Sequence, residues 1–234
     1  MKAKMRWTLL AVHLLTLTLA APSLFAAPIQ SFTPTLTGQA IDFEGLADGA
    51  MVSNQFAGVL FSQDDGGTPA ADRFPMQYAY GSSSGNTVLT GTISGGALAP
   101  TTAGLQVTFT SGQTAVEAFF SDASPLGTYT FTAFGAGGAV LESFTLAAAE
   151  ILPPGYNGGL YPTPGAAPLP GLYVGFNRAG GDIFAVQFGP SAAIGDAFAI
   201  DDLRSEPIPE PATLVLMGTG MVALCGYRLY RKKG

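Results

Sequence analysis

Carboxylates are the side chains through which this sequence has most scope for chemistry. All 16 acidic residues fall between Asp42 and Glu210, and three groups stand out by spacing: Asp42 and Glu44 on either side of Phe43, the pair Asp64-Asp65, and the pair Asp201-Asp202. Alternate residues of an extended strand share a face, so Asp42 and Glu44 would point the same way. A final strand laid beside the first would bring Asp202 close to one of them. Carboxylates crowded in this way repel and call for a cation. Ca²⁺ suits them, because it takes about six to eight oxygens from carboxylates, carbonyls and water. The expected ligands are Glu44, Asp64, Asp65 and Asp202, around a structural Ca²⁺. The competing reading is that these acids bond local backbone groups at strand ends. A second chemistry open to carboxylates is glycoside hydrolysis by a pair of acids, for which Glu44 and Glu117 are the residues to test, although no acid here sits in a recognisable glycosidase motif.

Other chemistries are removed by composition. The only histidine is His13, the only tryptophan is Trp7, the only cysteine is Cys225, and no lysine occurs between Lys4 and Lys232. The central region therefore lacks the parts for Ser-His-Asp or Cys-His catalysis, for a zinc site built on His or Cys, for a lysine Schiff base and for disulfide staples. Its cations are Arg73, Arg178 and Arg204, which against the 16 acids leave a charge of −13 between the two ends. The whole-chain value of −6 conceals this, because the other seven Lys and Arg lie at the ends. So acidic a surface repels nucleic acid and favours solubility and divalent cations.

The elements that must carry these acids are short strands. Glycine and proline punctuate the chain, with β-branched and aromatic residues between them. Strands are expected at 39–44, 58–62, 87–93, 105–110, 116–121, 128–133, 140–145, 171–177, 183–188 and 197–203. Alternation is clearest from Thr128 to Phe134, where Tyr129, Phe131 and Ala133 would share one face. Residues 63–80 and the proline-rich 151–170 break the rhythm and are expected as loops, since proline on this scale cannot join central strands. Tyr156 and Tyr161 in the second loop would suit sugar stacking, or would simply pack the loop down. The pattern predicts an all-β domain, a β-sandwich of jelly-roll type, over residues 27–206.

The two ends are of another kind. Lys2, Lys4 and Arg6 precede a mostly apolar run, which ends in the small residues Ala26 and Ala27. That order is the pattern of a secretory signal peptide over residues 1–26, cut after Ala26. At the other end, Pro209, Glu210 and Pro211 precede 16 uncharged residues, 212–227, and then Arg228, Arg231, Lys232 and Lys233. As a helix the uncharged stretch would span about 24 Å, short of a hydrocarbon core of about 30 Å but within reach of a helix whose ends snorkel. The basic cluster places the tail on the cytoplasmic side and the domain outside.

This three-part end, residues 207–234, resembles the PEP-CTERM sorting signal, with Pro209, Glu210 and Pro211 as the motif itself. The resemblance implies export across the inner membrane of a Gram-negative bacterium, a transient anchor there, processing by the membrane enzyme exosortase, and a final place at the cell surface or outside. The segment Asp42-Phe43-Glu44 and the closing Ala199-Ile200-Asp201-Asp202-Leu203 together resemble MAM-like jelly rolls, and this pairing, with the stretch from Gly58 to Ser62, is similar to that of many PEP-CTERM cargo domains. The expected function is a non-catalytic surface or matrix protein that meets exopolysaccharide and takes up calcium. The alternatives are a carboxylate-dependent glycoside-active enzyme and a purely structural matrix subunit.

Overall fold

The computed structural model describes residues 27–73, 83–85, 87–90, 103–122, 128–151, 171–190 and 198–208. The expected signal peptide, the 152–170 insertion with its two tyrosines, Pro209, Glu210, Pro211, the 212–227 stretch and the basic cluster lie outside the described residues.

Ten strands run in the order β1 (Ala27–Ser31), β2 (Val59–Gln63), β3 (Ala70–Arg73), β4 (Thr87–Thr90), β5 (Leu105–Asp122), β6 (Thr128–Phe134), β7 (Val140–Ala147), β8 (Leu172–Asn177), β9 (Ile183–Pro190) and β10 (Phe198–Pro207). All pairings between them are antiparallel. The long strand β5 organises the rest. Its first half pairs with β2 and β9, its second half with β10 and β8. The ladder to β9 breaks register between Thr108 and Gln113, and Gly112 lies at this break with no room for a Cβ against the carbonyl of Gly181. Here β5 passes from one layer into the other. All ten strands belong to one hydrogen-bonded sheet, and the bend of β5 divides it into two layers, here called the first sheet, β2-β5-β9-β6-β7, and the second sheet, β3-β4-β10-β5-β8-β1.

The two sheets face each other across an aromatic core. Phe120 of β5 stacks on Phe198 of β10 with ring centroids 5.2 Å apart, and meets Tyr129 and Phe131 of β6 edge-on at 5.0 and 5.1 Å. Phe176 of β8 meets Phe144 of β7 at 5.2 Å. Such offset and edge-on contacts are the favoured aromatic geometries. Tyr129, Phe131 and Ala133 share the buried face, as the alternation predicts.

The expected all-β sandwich is what forms, with differences that have physical reasons. Residues 39–44 make a single bridge, Ile41 to Leu203, because Phe43 turns to φ 58° and leaves extended geometry. The expected strands 105–110 and 116–121 are one strand, bent rather than ended at Gly112. The stretch 63–80, expected as a loop, contains β3, whose Ala-Ala-Asp-Arg carries no β-branched signal. Strand β1 was not expected. It holds Pro28 and pairs only with β8, and an edge position tolerates proline. Strand β10 runs four residues past Leu203, to Pro207.

Candidate functional site

The outer face of the second sheet gathers most of the buried charge. Ordinary alternation would send Asp201 and Asp202 to opposite faces. Instead the β10–β5 register shifts between Asp201 and Arg204, and Asp202 takes φ 45°. A bulge of this kind re-aims side chains, and both carboxylates reach the 83–85 segment. Asp201 Oδ2 accepts from the backbone N–H of Ser83 (3.0 Å) and Ser84 (3.1 Å) and from Ser83 Oγ (3.1 Å), and Oδ1 accepts from the N–H of Asp202 (2.8 Å). Asp202 accepts from Ser84 Oγ (2.9 Å) and from Tyr173 Oη (3.1 Å), and lies 3.9 Å from Arg204. Burial pushes the Asp201 carboxyl up to about 7, against these hydrogen bonds, and burial also raises the Tyr173 phenol.

Glu44 closes on the same segment from the other side. It accepts from the N–H of Thr87 at 2.7 Å, and its carboxyl group fills the space a Cβ on Gly85 would need. Asp42 accepts from the N–H of Glu44 (3.2 Å). The expected approach of the first and last segments is therefore present, through the bridge between Ile41 and Leu203, whose two hydrogen bonds measure 2.8 and 3.1 Å.

The four expected calcium ligands are not gathered together. Glu44 and Asp202 flank the 83–85 segment, whereas Asp64 and Asp65 occupy the turn after β2. There Asp64 accepts from the N–H of Gly104 (3.0 Å) and from Gln187 Nε2 (2.8 Å), and Asp65 accepts from the N–H of Gly67 (2.8 Å). Gln63 pairs with Leu105 at the start of β5, and Asp201 with Phe119 near its end. Among the described residues no group of three or more acidic side chains could hold a metal ion.

Glu117 has a different task. It is fully buried and accepts from the N–H of Thr35 (3.0 Å), from Thr35 Oγ1 (2.6 Å) and from the N–H of Leu36 (2.9 Å). Its cross-strand partner Arg204 donates to the carbonyls of Leu36 (3.4 Å) and Gly38 (3.3 Å). Together they tie residues 33–38 across the sheet. The sequence marked Glu117 only as an acid, because its donors come from more than 80 positions away. Arg178 pairs with Asp182 through two contacts of 2.5 and 2.7 Å, and this hydrogen-bonded pair lowers the Asp182 carboxyl and raises the Arg178 guanidinium.

The first sheet's outer face is different: it carries an uncharged row. Ser62, Gln106, Gln187, Thr132 and Ser143 are successive cross-strand partners through β2, β5, β9, β6 and β7. They are at least partly exposed; Gln187 Nε2 already donates to Asp64, and the hydroxyls of Thr132 and Ser143 lie 3.1 Å apart, hydrogen-bonded to each other. Beside them stand Leu60, Phe134 and Val140, with Leu60 46% and Val140 63% exposed.

Residues 207–232 match the PEP-CTERM protein-sorting motif. No curated protein matches the chain. Among solved structures, the chain is similar to the K2 cleaved adhesin domain of Lys-gingipain, at 15% identity over 76% of this chain and 99% of that one, with TM-score 0.44. The K1 cleaved adhesin domain of Lys-gingipain from Porphyromonas gingivalis W83 matches at 11% identity over 77% of this chain and 98% of that one, TM-score 0.40. TmCBM61 in complex with β-1,4-galactotriose matches at 13% identity over 71% and 94%, TM-score 0.33.

Proposed function

We propose that this is an exported, non-catalytic surface protein, handed to exosortase by its C-terminal motif, whose β-sandwich contacts neutral extracellular polysaccharide. The observation that carries the reading is the sorting motif at 207–232, which follows directly on the last strand of the sandwich. Export places the domain where matrix polymers are. The row of Ser62, Gln106, Gln187, Thr132 and Ser143 supplies hydroxyl and amide groups, with the Asp64 carboxylate held beside it by Gln187 Nε2, which suits sugar hydroxyls, and the adjoining Leu60, Phe134 and Val140 suit the apolar faces of the rings.

The acids support a structural rather than a catalytic role. Glu117 is sealed under residues 33–38, and Asp201 is spent on the 83–85 segment. Calcium enters this reading only through the expected ligands Glu44, Asp64, Asp65 and Asp202, of which Glu44 and Asp202 lie at the 83–85 segment and Asp64 and Asp65 at the turn after β2. Melting the purified protein with and without a chelator tests it: a fall in melting temperature supports the ion and an unchanged curve removes it. For the function as a whole, the native protein's intact mass and cell fraction decide. Loss of both residues 1–26 and everything after about Pro211, with the product outside the inner membrane, is the expected result. Retention of the full tail in the inner membrane would overturn the sorting step.

A further inference from the structure

The bend of β5 divides the sandwich into two ends, and both routes to the membrane leave from the same one. At the bend end lie Thr110 to Gln113 of β5, the β8–β9 turn around Gly181, and the β6–β7 turn at Ala136–Gly138. Ala27, the first residue after the expected signal peptide, pairs with Asn177 at this end. Pro207, at the close of β10, pairs with Gln113 here too, and Thr114 Oγ1 donates to the carbonyl of Glu206 at 3.0 Å. Ile208 then lies against the bare Cα of Gly181, where a Cβ would have no room. The chain is thus held to the domain up to the residue before Pro209.

We infer that the bend end is a membrane-facing surface, seated on the lipid headgroup layer while the C-terminal segment is anchored. The inference rests on the proposed anchor, and tether length leads to it. From Ile208 to Ala212, where the uncharged stretch begins, there are four Cα steps, about 14 Å at full extension. A headgroup layer is about 5–8 Å deep on each side. The domain therefore has almost no free chain on which to stand away from the bilayer. Its surface chemistry agrees. Thr110, Ser111, Ala136, Gly138, Ala179 and Gly180 are exposed and uncharged at this end, and Asp182 is neutralised by Arg178. The described acids left there, Glu142 and Glu206, are half-buried. At the other end Asp64, Asp65 and Glu150 are exposed, and acids so placed would be repelled by anionic lipid. Seated this way, the domain turns its acidic end outward, and exosortase meets the motif between a fixed strand and the bilayer.

The test uses the full chain with Cys225→Ala, which removes the only cysteine. A fluorophore is placed at Ala179→Cys, on the bend end, or at Ala149→Cys, on the opposite end. Each variant is reconstituted into phosphatidylcholine vesicles with a minority of phosphatidylglycerol and a headgroup nitroxide quencher. The expected result is loss of most emission at position 179 and little loss at 149. A flexible Gly-Ser insert between Ile208 and Pro209 should then abolish the difference. Equal quenching at both positions in a chain that floats with the vesicles overturns the orientation and leaves the anchor standing. A chain that does not float with them overturns both.

Discussion

Asp201 shows how a single residue converts sequence acidity into a structural tie. Its carboxyl group is buried against four donors, yet burial raises it from the ordinary 3.8 to about 7. The folded state therefore holds a proton that the unfolded chain releases near pH 4, and by linkage folding stability falls as pH rises from about 4 to about 7, then levels off. Denaturant midpoints measured across that range should show the decline, and Asp201→Asn should flatten it. With its oxygen kept on Ser83 and Ser84, the same substitution turns an amide NH₂ toward the N–H of Asp202 and should cost about 1–3 kcal/mol at neutral pH. Glu117→Gln loses one of two accepting oxygens beneath Thr35 and Leu36 and should destabilise by a similar amount, read as a lower urea midpoint. Both acids were visible in the sequence as charges. Their donors were not, since Ser83 and Thr35 are brought to them only by the packing of irregular segments on the sheet.

At the scale of elements, strand β5 decides the architecture. Its alternating Leu105, Val107, Phe109, Val116, Ala118 and Phe120 all enter one core, although the halves belong to different sheets. Gly112 permits the close approach to Gly181 at the bend. Gly112→Val should force the two backbones apart and lower the thermal midpoint by several degrees, at a cost on the order of 1–3 kcal/mol for overpacking. The alternation of β6 and the punctuated spacing of β7, β8 and β9 were legible locally, because those strands have one buried face and strong β formers. Strands β1 and β3 were not, because Ala-Pro-Ile-Gln-Ser and Ala-Ala-Asp-Arg owe their extended form to the partners β8 and β4.

At the scale of the whole molecule, one face of the second sheet is closed by its own chain, through residues 33–38 and 83–85, while the first sheet presents its uncharged row. Thr132 and Gln187 are adjacent in that row. If it meets glycan, Thr132→Asp should abolish retention of the purified domain on the host's own polysaccharide while lowering its stability by only about 1 kcal/mol, the cost of the lost bond to Ser143 and of Asp in a strand. Unchanged retention would favour the purely structural matrix role.

The features of this protein that depend on order along the chain were legible before any folding was considered. The composition removed His, Cys and Lys chemistry from the central region, and the run of Pro209, Glu210 and Pro211 followed by apolar and basic residues defined the sorting end, since such signals act as linear strings. The sequence also established the sandwich class, because the strand period and turn spacing are local. Tertiary structure alone decided which acids meet. The bulge at Asp202 turned two neighbours to one side, Glu117 and Asp201 were sealed under distant segments, and Asp64 and Asp65 were kept at the far end from the bend. These outcomes depend on the register of β10 against β5 and on the bend at Gly112. Both are set by the packing of two sheets at once, which no local pattern of residues encodes.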